Sequence, residues 1–315
     1  MGKVAFIFPG QGSQYVGMCK EFYDEHQSVR DIFAEADDAL NFPLTKMIFE
    51  GPEADLKLTT NTQPAILTAS VACAQILKEH GLKCDMSAGH SLGEYSALVN
   101  NGALSFRDAV KVVRARGRFM QEAVPVGQGI MAAILGIETG KIVQICDEIS
   151  NEMHCCVQAV NYNCPGQVVI AGATAGVQEA CIRIKEAGAK RCIQLSVSAP
   201  FHSYMLQPAS DRLAEVLADV KINDIEIPVF TNVNAEPVYK GEKIRQFLIT
   251  QAAAPVLWEI GMHNMIAEGA DVFVEVGPSK VLSGFTKKID RNKVQLSVED
   301  NYTLAKTITW FAENR

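Results

Sequence analysis

The sequence has no apolar run approaching the eighteen or more residues that a membrane-spanning helix needs. It has no Cys-x-x-C pair, and its 9 cysteines are an odd number, which argues against both a zinc ribbon and a disulfide framework. Thiols of this kind are expected to be reduced, in a cytoplasm. An excess of positive charge is missing too: 29 Lys and Arg stand against 36 Asp and Glu, a net charge of −7, so nucleic acid is not expected as the main partner. An acidic protein partner would then need a local basic patch. The opening Met1-Gly2-Lys3 runs into Val4-Ala5-Phe6-Ile7-Phe8, shorter than a secretory apolar region, so no signal peptide is expected. No long segment is depleted of Leu, Ile, Val and Phe, and there is no internal repeat.

What is present is an alternation of strand and helix patterns. Val4 to Phe8 reads as a buried strand ending in the turn Pro9-Gly10-Gln11-Gly12-Ser13, with helices expected over Tyr15 to Glu25 and Asp31 to Leu40. A strongly helical run covers Ala65 to His80, and another covers Ser105 to Met120. After Pro125 the order changes. Strand Ile130 to Leu135, helix Thr139 to Ser150, strands Cys155 to Asn161 and Gln167 to Ala171, helix Ala175 to Glu186 and strand Lys190 to Ser196 spell β-α-β-β-α-β, a ferredoxin-like unit. Vicinal Cys155 and Cys156 read as small buried hydrophobes on a strand. Beyond Pro200 the first pattern resumes, with strands at Pro228 to Val233, Asp271 to Val276 and Lys293 to Val298. A chain of 315 residues exceeds one comfortable core. The expected organisation is α/β, with a large domain from 1–126 and 199–315 and an inserted small domain at 127–198.

Gly89-His90-Ser91-Leu92-Gly93 fits G-x-S-x-G, the strand-to-helix turn that exposes a nucleophilic serine. The Leu92 N–H would then face a developing oxyanion. Met86-Ser87-Ala88 is a poor strand by propensity, so a structural Gly-rich turn stays as the alternative. Of 6 histidines, His202 alone lies in a loop at a strand end, where catalytic groups collect. Gly10-Gln11-Gly12 would need Gly where Tyr15 stands to make a dinucleotide fingerprint; a backbone donor at Gln11 is the other use of such a loop. On the helix ending at Met120, Arg116 falls in the stripe of Val112, Val113, Phe119 and Met120, while Arg114 and Arg118 fall on the solvent side. A guanidinium there needs a partner: an internal carboxylate, or the carboxylate of a substrate.

Taken in order, Phe8-Pro9-Gly10-Gln11-Gly12-Ser13-Gln14, Gly89-His90-Ser91-Leu92-Gly93-Glu94-Tyr95, Arg116-Gly117, Asn163 with Pro165-Gly166-Gln167, Phe201-His202-Ser203 and Glu275-Val276-Gly277-Pro278 resemble the malonyl-CoA:acyl carrier protein transacylases along nearly the whole chain. The resemblance implies an α/β-hydrolase-like large domain and a ferredoxin-like small one. It implies Ser91 as nucleophile, His202 as its base, Gln11 and the Leu92 N–H as oxyanion donors, and Arg116 as ligand of the malonyl carboxylate. Gln251 matches the glutamine whose backbone carbonyl orients the histidine, and Phe201 and Met120 fall at the substrate. Malonyl-CoA and an acyl carrier protein are the implied partners, with no metal and no bound cofactor. Ala252-Ala253-Ala254 departs from a bulkier segment common in the family. A polyketide-loading acyltransferase would use the same residues; an acyl-thioester hydrolase would use the same dyad, and Arg116 and the transacylase motifs argue against it.

Overall fold

The computed structural model describes residues 2–195, 197 and 199–314. Among them ten strands follow in chain order: β1 (Lys3–Phe8), β2 (Met86–Gly89), β3 (Gly129–Leu135), β4 (Val157–Cys164), β5 (Gln167–Ala173), β6 (Arg191–Gln194), β7 (Val229–Phe230), β8 (Pro237–Val238), β9 (Ala270–Val276) and β10 (Val294–Val298). Six form one sheet in the order β10-β9-β1-β2-β7-β8, parallel throughout except for β8. β1 and β9 are almost continuously apolar and buried, as strands covered by helices on both faces must be. β2 is strand despite its poor propensity. It lies between β1 and β7, with Ala5 opposite Met86 and Phe8 opposite Gly89, and pairing on both edges outweighs local preference.

The other four strands form an antiparallel sheet in the order β4-β5-β3-β6, backed by the helices Thr139–Met153 and Thr174–Glu186. This is the ferredoxin-like order. Alternation along its strands divides the apolar residues between two cores. Ile134, Val168 and Ile170 pack with Ile142, Ile149 and Val177 of the two helices, whereas Met131, Val169 and Ala171 join the core of the larger unit. A backbone bridge also ties β4 to the large unit: the Val256 N–H donates to Val160 O at 2.8 Å, and the Tyr162 N–H donates to Val256 O at 3.0 Å. No helix among the described residues is long and apolar enough to cross a membrane.

Several sequence expectations are corrected. The helix expected from Tyr15 covers only Lys20–Glu25, because Gly17 and Cys19 take positive φ (92° and 63°). β4 begins at Val157, so Cys155 and Cys156 precede the strand and are half-buried. β7 stops at Phe230, freeing Thr231 and Asn232 to turn into a loop. Arg114 is not simply solvated, since its guanidinium lies 3.9 Å from the centre of the Phe42 ring. Ser196 and Ser198, where the last small-domain strand and the small domain were expected to end, lie outside the described residues, as do Met1 and Arg315.

Candidate active site

Three adjacent parallel strands, β1, β2 and β7, end at one place, and the crevice beyond strand C-termini is where such sheets bind ligands. β1 leads into Gly10-Gln11-Gly12, β2 into His90-Ser91, and β7 into Thr231-Asn232. Ser91 sits at φ 52°, ψ −105°, a strained conformation for a residue with a β-carbon. The turn is too tight for side chains around it. A β-carbon on Gly89 would lie 1.9 Å from the Gly93 carbonyl, and one on Gly93 would lie 2.0 Å from Phe8 O. Asn232 holds the strained turn in place. Its Oδ1 accepts the Ser91 N–H at 2.7 Å and its Nδ2 donates to Gly89 O at 2.8 Å. With the Ser91 amide so occupied, the next one, Leu92 N–H, opens the helix Leu92–Asn100 without an intrahelical acceptor.

His202 approaches from the chain returning from the small sheet, and it is 3 % exposed. Its Nε2 lies 2.7 Å from Ser91 Oγ, and its Nδ1 lies 2.9 Å from Gln251 O and 3.1 Å from Ala254 O. Carbonyl oxygens only accept, so Nδ1 carries the proton and the Nε2 lone pair faces the serine hydroxyl. Burial, followed by the positive charge of Arg116, pushes the imidazole pKa down to about 3. At neutral pH the ring is therefore uncharged, as a base must be. The carbonyls that orient it belong to the segment anchored to β4 at Val256, so Ala252-Ala253-Ala254 acts on the site through its backbone.

Arg116, on the helix Phe106–Glu122, is 1 % exposed. Among the described residues no carboxylate pairs with it, so the internal salt bridge that the sequence left open is absent. Its acceptors are all neutral: Nη1 donates to Gln63 Oε1 at 2.8 Å, and Nη2 donates to Gln251 Oε1 at 3.0 Å and to Ser91 Oγ at 3.1 Å. Its Nε–H is buried with no partner. A buried cation without a counter-ion is costly unless an anion arrives to complete it. Ser91, Arg116, His202, Leu92, Gln11, Phe201 and Met120 all border one cavity of about 100 Å³. A second cavity, of about 210 Å³, shares Gln11 and His90 with it and reaches Gln167 and Phe285. The Gln11 side chain donates to Thr59 Oγ1 at 3.2 Å.

All eight residues singled out from the sequence thus meet at this place, Gln251 by its side chain as well as by its carbonyl. The sequence reading missed Gln63, Asn232 and the role of Glu94, which accepts from Asn232 N–H and Gln251 Nε2, both at 2.9 Å. For Glu94 a signal existed. It stands among the buried Leu92, Tyr95, Ala97 and Leu98 of its helix, the same anomaly that drew attention to Arg116.

A family model described as an acyl transferase domain matches residues 5–300. Over 313 residues the chain is 48% identical to the malonyl CoA-acyl carrier protein transacylase of Bacillus subtilis, covering 99% of this chain and 98% of that protein. It is 46% identical over 302 residues to the transacylase of the same name from Haemophilus influenzae, covering 95% and 96%. Among solved structures, the acyl-carrier-protein S-malonyltransferase of Burkholderia pseudomallei superposes with a TM-score of 0.94 at 48% identity, covering 98% of this chain and 99% of that one. The malonyl CoA-acyl carrier protein transacylase of Clostridium perfringens superposes with a TM-score of 0.95 at 43% identity, covering 99% and 98%.

Proposed function

This chain belongs to the acyl transferase family, with the malonyl CoA-acyl carrier protein transacylases, and we propose that it moves malonyl groups from coenzyme A to a carrier protein through an ester on Ser91. The observation that carries this reading is the Ser91 hydroxyl, shared between a neutral imidazole and a buried guanidinium that has no counter-ion among the described residues. His202 Nε2 takes the hydroxyl proton while Oγ attacks the thioester carbonyl. The oxyanion forms beside the Leu92 N–H and the Gln11 backbone. It collapses by expelling the coenzyme A thiolate, which leaves with the proton from His202. The carrier's phosphopantetheine thiol then gives a proton to the same nitrogen and takes the malonyl group by the reverse attack. Arg116 receives the free malonyl carboxylate, which offsets the charge that opposes protonation of His202. Phe201 and Met120 border the acyl group.

Intact mass after brief exposure to malonyl-CoA tests this directly. One malonyl increment on the Ser91 peptide is expected, discharged by a phosphopantetheinylated carrier; prompt release of free malonate without a carrier would point to a hydrolase. We assign the reaction to fatty acid synthesis in the cytoplasm, consistent with nine free thiols among the described residues. A polyketide setting has one specific observation in its favour: a transacylase bound to a type II polyketide carrier protein superposes with a TM-score of 0.95 at 40% identity. Residues 127–198 we take as an inserted domain between the two parts of the large one.

The depressed pKa of His202 sets an expectation for pH. A base whose folded value lies near 3 stays neutral as pH falls through the ordinary histidine range. Acetyl transfer, which does not call on Arg116, is expected to stay level from about pH 7.5 to about 5.5, whereas an unperturbed histidine would bring an acid limb near 6.5. The same depression makes the fold less stable as pH drops from about 6.5 towards 3, since the unfolded chain takes up the proton first.

For the carrier, the chain offers two basic clusters: Lys185, Lys190 and Arg191, and Lys287, Lys288, Arg291 and Lys293. Lys288 donates to Gln167 Oε1 at 3.2 Å, and Gln167 borders the second cavity, so the second cluster lies near its rim. Lys293 is already paired with Asp271 at 2.6 Å. Charge reversal at Lys287 and Lys288 is expected to raise the KM for carrier and lessen its salt sensitivity while leaving acylation by malonyl-CoA intact. An unchanged carrier KM would move the docking surface to the first cluster.

A further inference from the structure

Gln251 bonds to Arg116, to His202 and to the Ser91 carbonyl, and its carboxamide nitrogen faces one buried carboxylate, that of Glu94. We propose that Glu94 is a positioning residue: its carboxylate fixes the sense of the Gln251 carboxamide, and through it the Arg116 guanidinium that receives the substrate carboxylate. The proposal rests on the function assigned above.

The Gln251 Nε2 faces three acceptors, Glu94 Oε2 at 2.9 Å, Ser91 O at 3.0 Å and Asn232 Oδ1 at 3.3 Å, while its Oε1 accepts from Arg116 Nη2 at 3.0 Å. An amide of this kind can turn end for end, and two of those acceptors are themselves carbonyl oxygens with other donors available. An ionised carboxylate oxygen cannot donate. It therefore holds the amide nitrogen on its own side and the amide oxygen towards the guanidinium. Without it, a turned amide would point its NH₂ group at the donors of Arg116, and Nη2 would keep only Ser91 Oγ. The same Glu94 oxygen accepts the Asn232 N–H at 2.9 Å, and Asn232 pins the strained Ser91 turn. Asn232 keeps its own side-chain bonds to the Ser91 N–H and to Gly89 O, neither of which passes through Glu94, so loss of Glu94 falls first on the carboxylate receptor.

A glutamate in the first turn of a helix often serves only that helix, by facing its amides or the solvent. Glu94 is 1 % exposed, and the bonds of its carboxylate go to two other elements, the Gly241–Gln251 helix and the loop after β7. From the Phe106–Glu122 helix the charged group facing it is Arg116, one Gln251 side chain away; the other two elements present neutral amides. Burial raises its pKa to about 7, against the pull of those amides and of Arg116, so its charge is at stake near neutrality.

The test is the malonyl-to-acetyl ratio of kcat/KM for wild type, Glu94→Ala and Glu94→Gln, each checked for folding by circular dichroism, between about pH 6 and pH 8. Glu94→Ala is expected to lower the ratio roughly 5- to 150-fold, the cost of leaving buried donors without an acceptor. Glu94→Gln, an uncharged isostere of the protonated acid that can itself donate, is expected to give a ratio between those of Glu94→Ala and ionised wild type, near that of wild type at about pH 6. It is also expected to remove the decline of the ratio that wild type shows below about pH 7. A folded Glu94→Ala that loses both substrates alike, or neither, overturns the proposal. If Glu94→Ala does not fold, the Glu94→Gln profile decides: a ratio that still declines with acid as in wild type overturns it. Wild type that forms no Ser91 ester would instead sink the assigned function, so the two failures are told apart.

Discussion

Ser91→Ala is expected to abolish the malonyl ester and to reduce transfer by roughly 10⁴–10⁶-fold. Among the described residues the groups within hydrogen-bond distance of Ser91 Oγ are His202 Nε2 and Arg116 Nη2, neither of which replaces a hydroxyl nucleophile. His202→Ala is expected to fall nearly as far, because the serine hydroxyl would lose its proton acceptor at 2.7 Å and keep only a guanidinium that donates to it. The double variant is expected to be little worse than either single one, the behaviour of groups that act as a unit. Single-turnover acylation followed by peptide mapping reads all three. An ester on any residue other than Ser91, or near-normal turnover of Ser91→Ala, sinks the assignment.

The second large effect is selective. Arg116→Ala is expected to lower malonyl transfer by about 30-fold to several thousand-fold, the range that 2–5 kcal/mol for breaking a buried charge pair implies. Acetyl transfer is expected to hold or rise. Acetyl carries no carboxylate to leave unpaired, and removing the guanidinium relieves part of the charge that depresses His202. Arg116→Lys is expected to rescue only partly, since a point charge cannot offer donors at once to Gln63, Gln251 and a carboxylate. Arg118→Ala, on the exposed side of the same helix, serves as the neutral control. Arg114→Ala is expected to cost a little stability through its stacking on Phe42 without changing the substrate ratio. Equal losses for malonyl and acetyl in a folded Arg116→Ala would make the arginine structural.

Both predictions concern residues that could be named before any coordinates, and the physical reason is the same for each. Ser91 is marked by glycines that a tight turn requires at fixed offsets, and a β-carbon 1.9 Å from a carbonyl at Gly89 is the three-dimensional form of that requirement. Arg116 is marked by a charge in an apolar helical stripe, and near-complete burial is what the stripe predicts. The β-α-β-β-α-β order of the small sheet was legible because each element is long and strongly patterned. Weak or short elements were not: β7 is 2 residues long, and its early end is what turns Asn232 into the site. The helix at Tyr15 was read too long because apolar periodicity carries no trace of the left-handed backbone at Gly17 and Cys19.

The sequence by itself determined the α/β class and the element order, and it singled out Ser91, His202 and Arg116 as candidate site residues. Each of these leaves a local signature, in glycine spacing, in loop position or in a charge out of place along a helix. Only the tertiary structure decided what holds them. Gln63 and Arg116 are 53 positions apart, Ser91 and Asn232 are 141, and Glu94 and Gln251 are 157, yet all meet within hydrogen-bond distance. It decided too that the histidine leans on two backbone carbonyls, and that among the described residues no acid pairs with either the histidine or the arginine. A backbone carbonyl is common to every residue and has no letter in a sequence. The missing counter-ion is likewise a property of the space around a side chain, which is fixed only when distant segments pack.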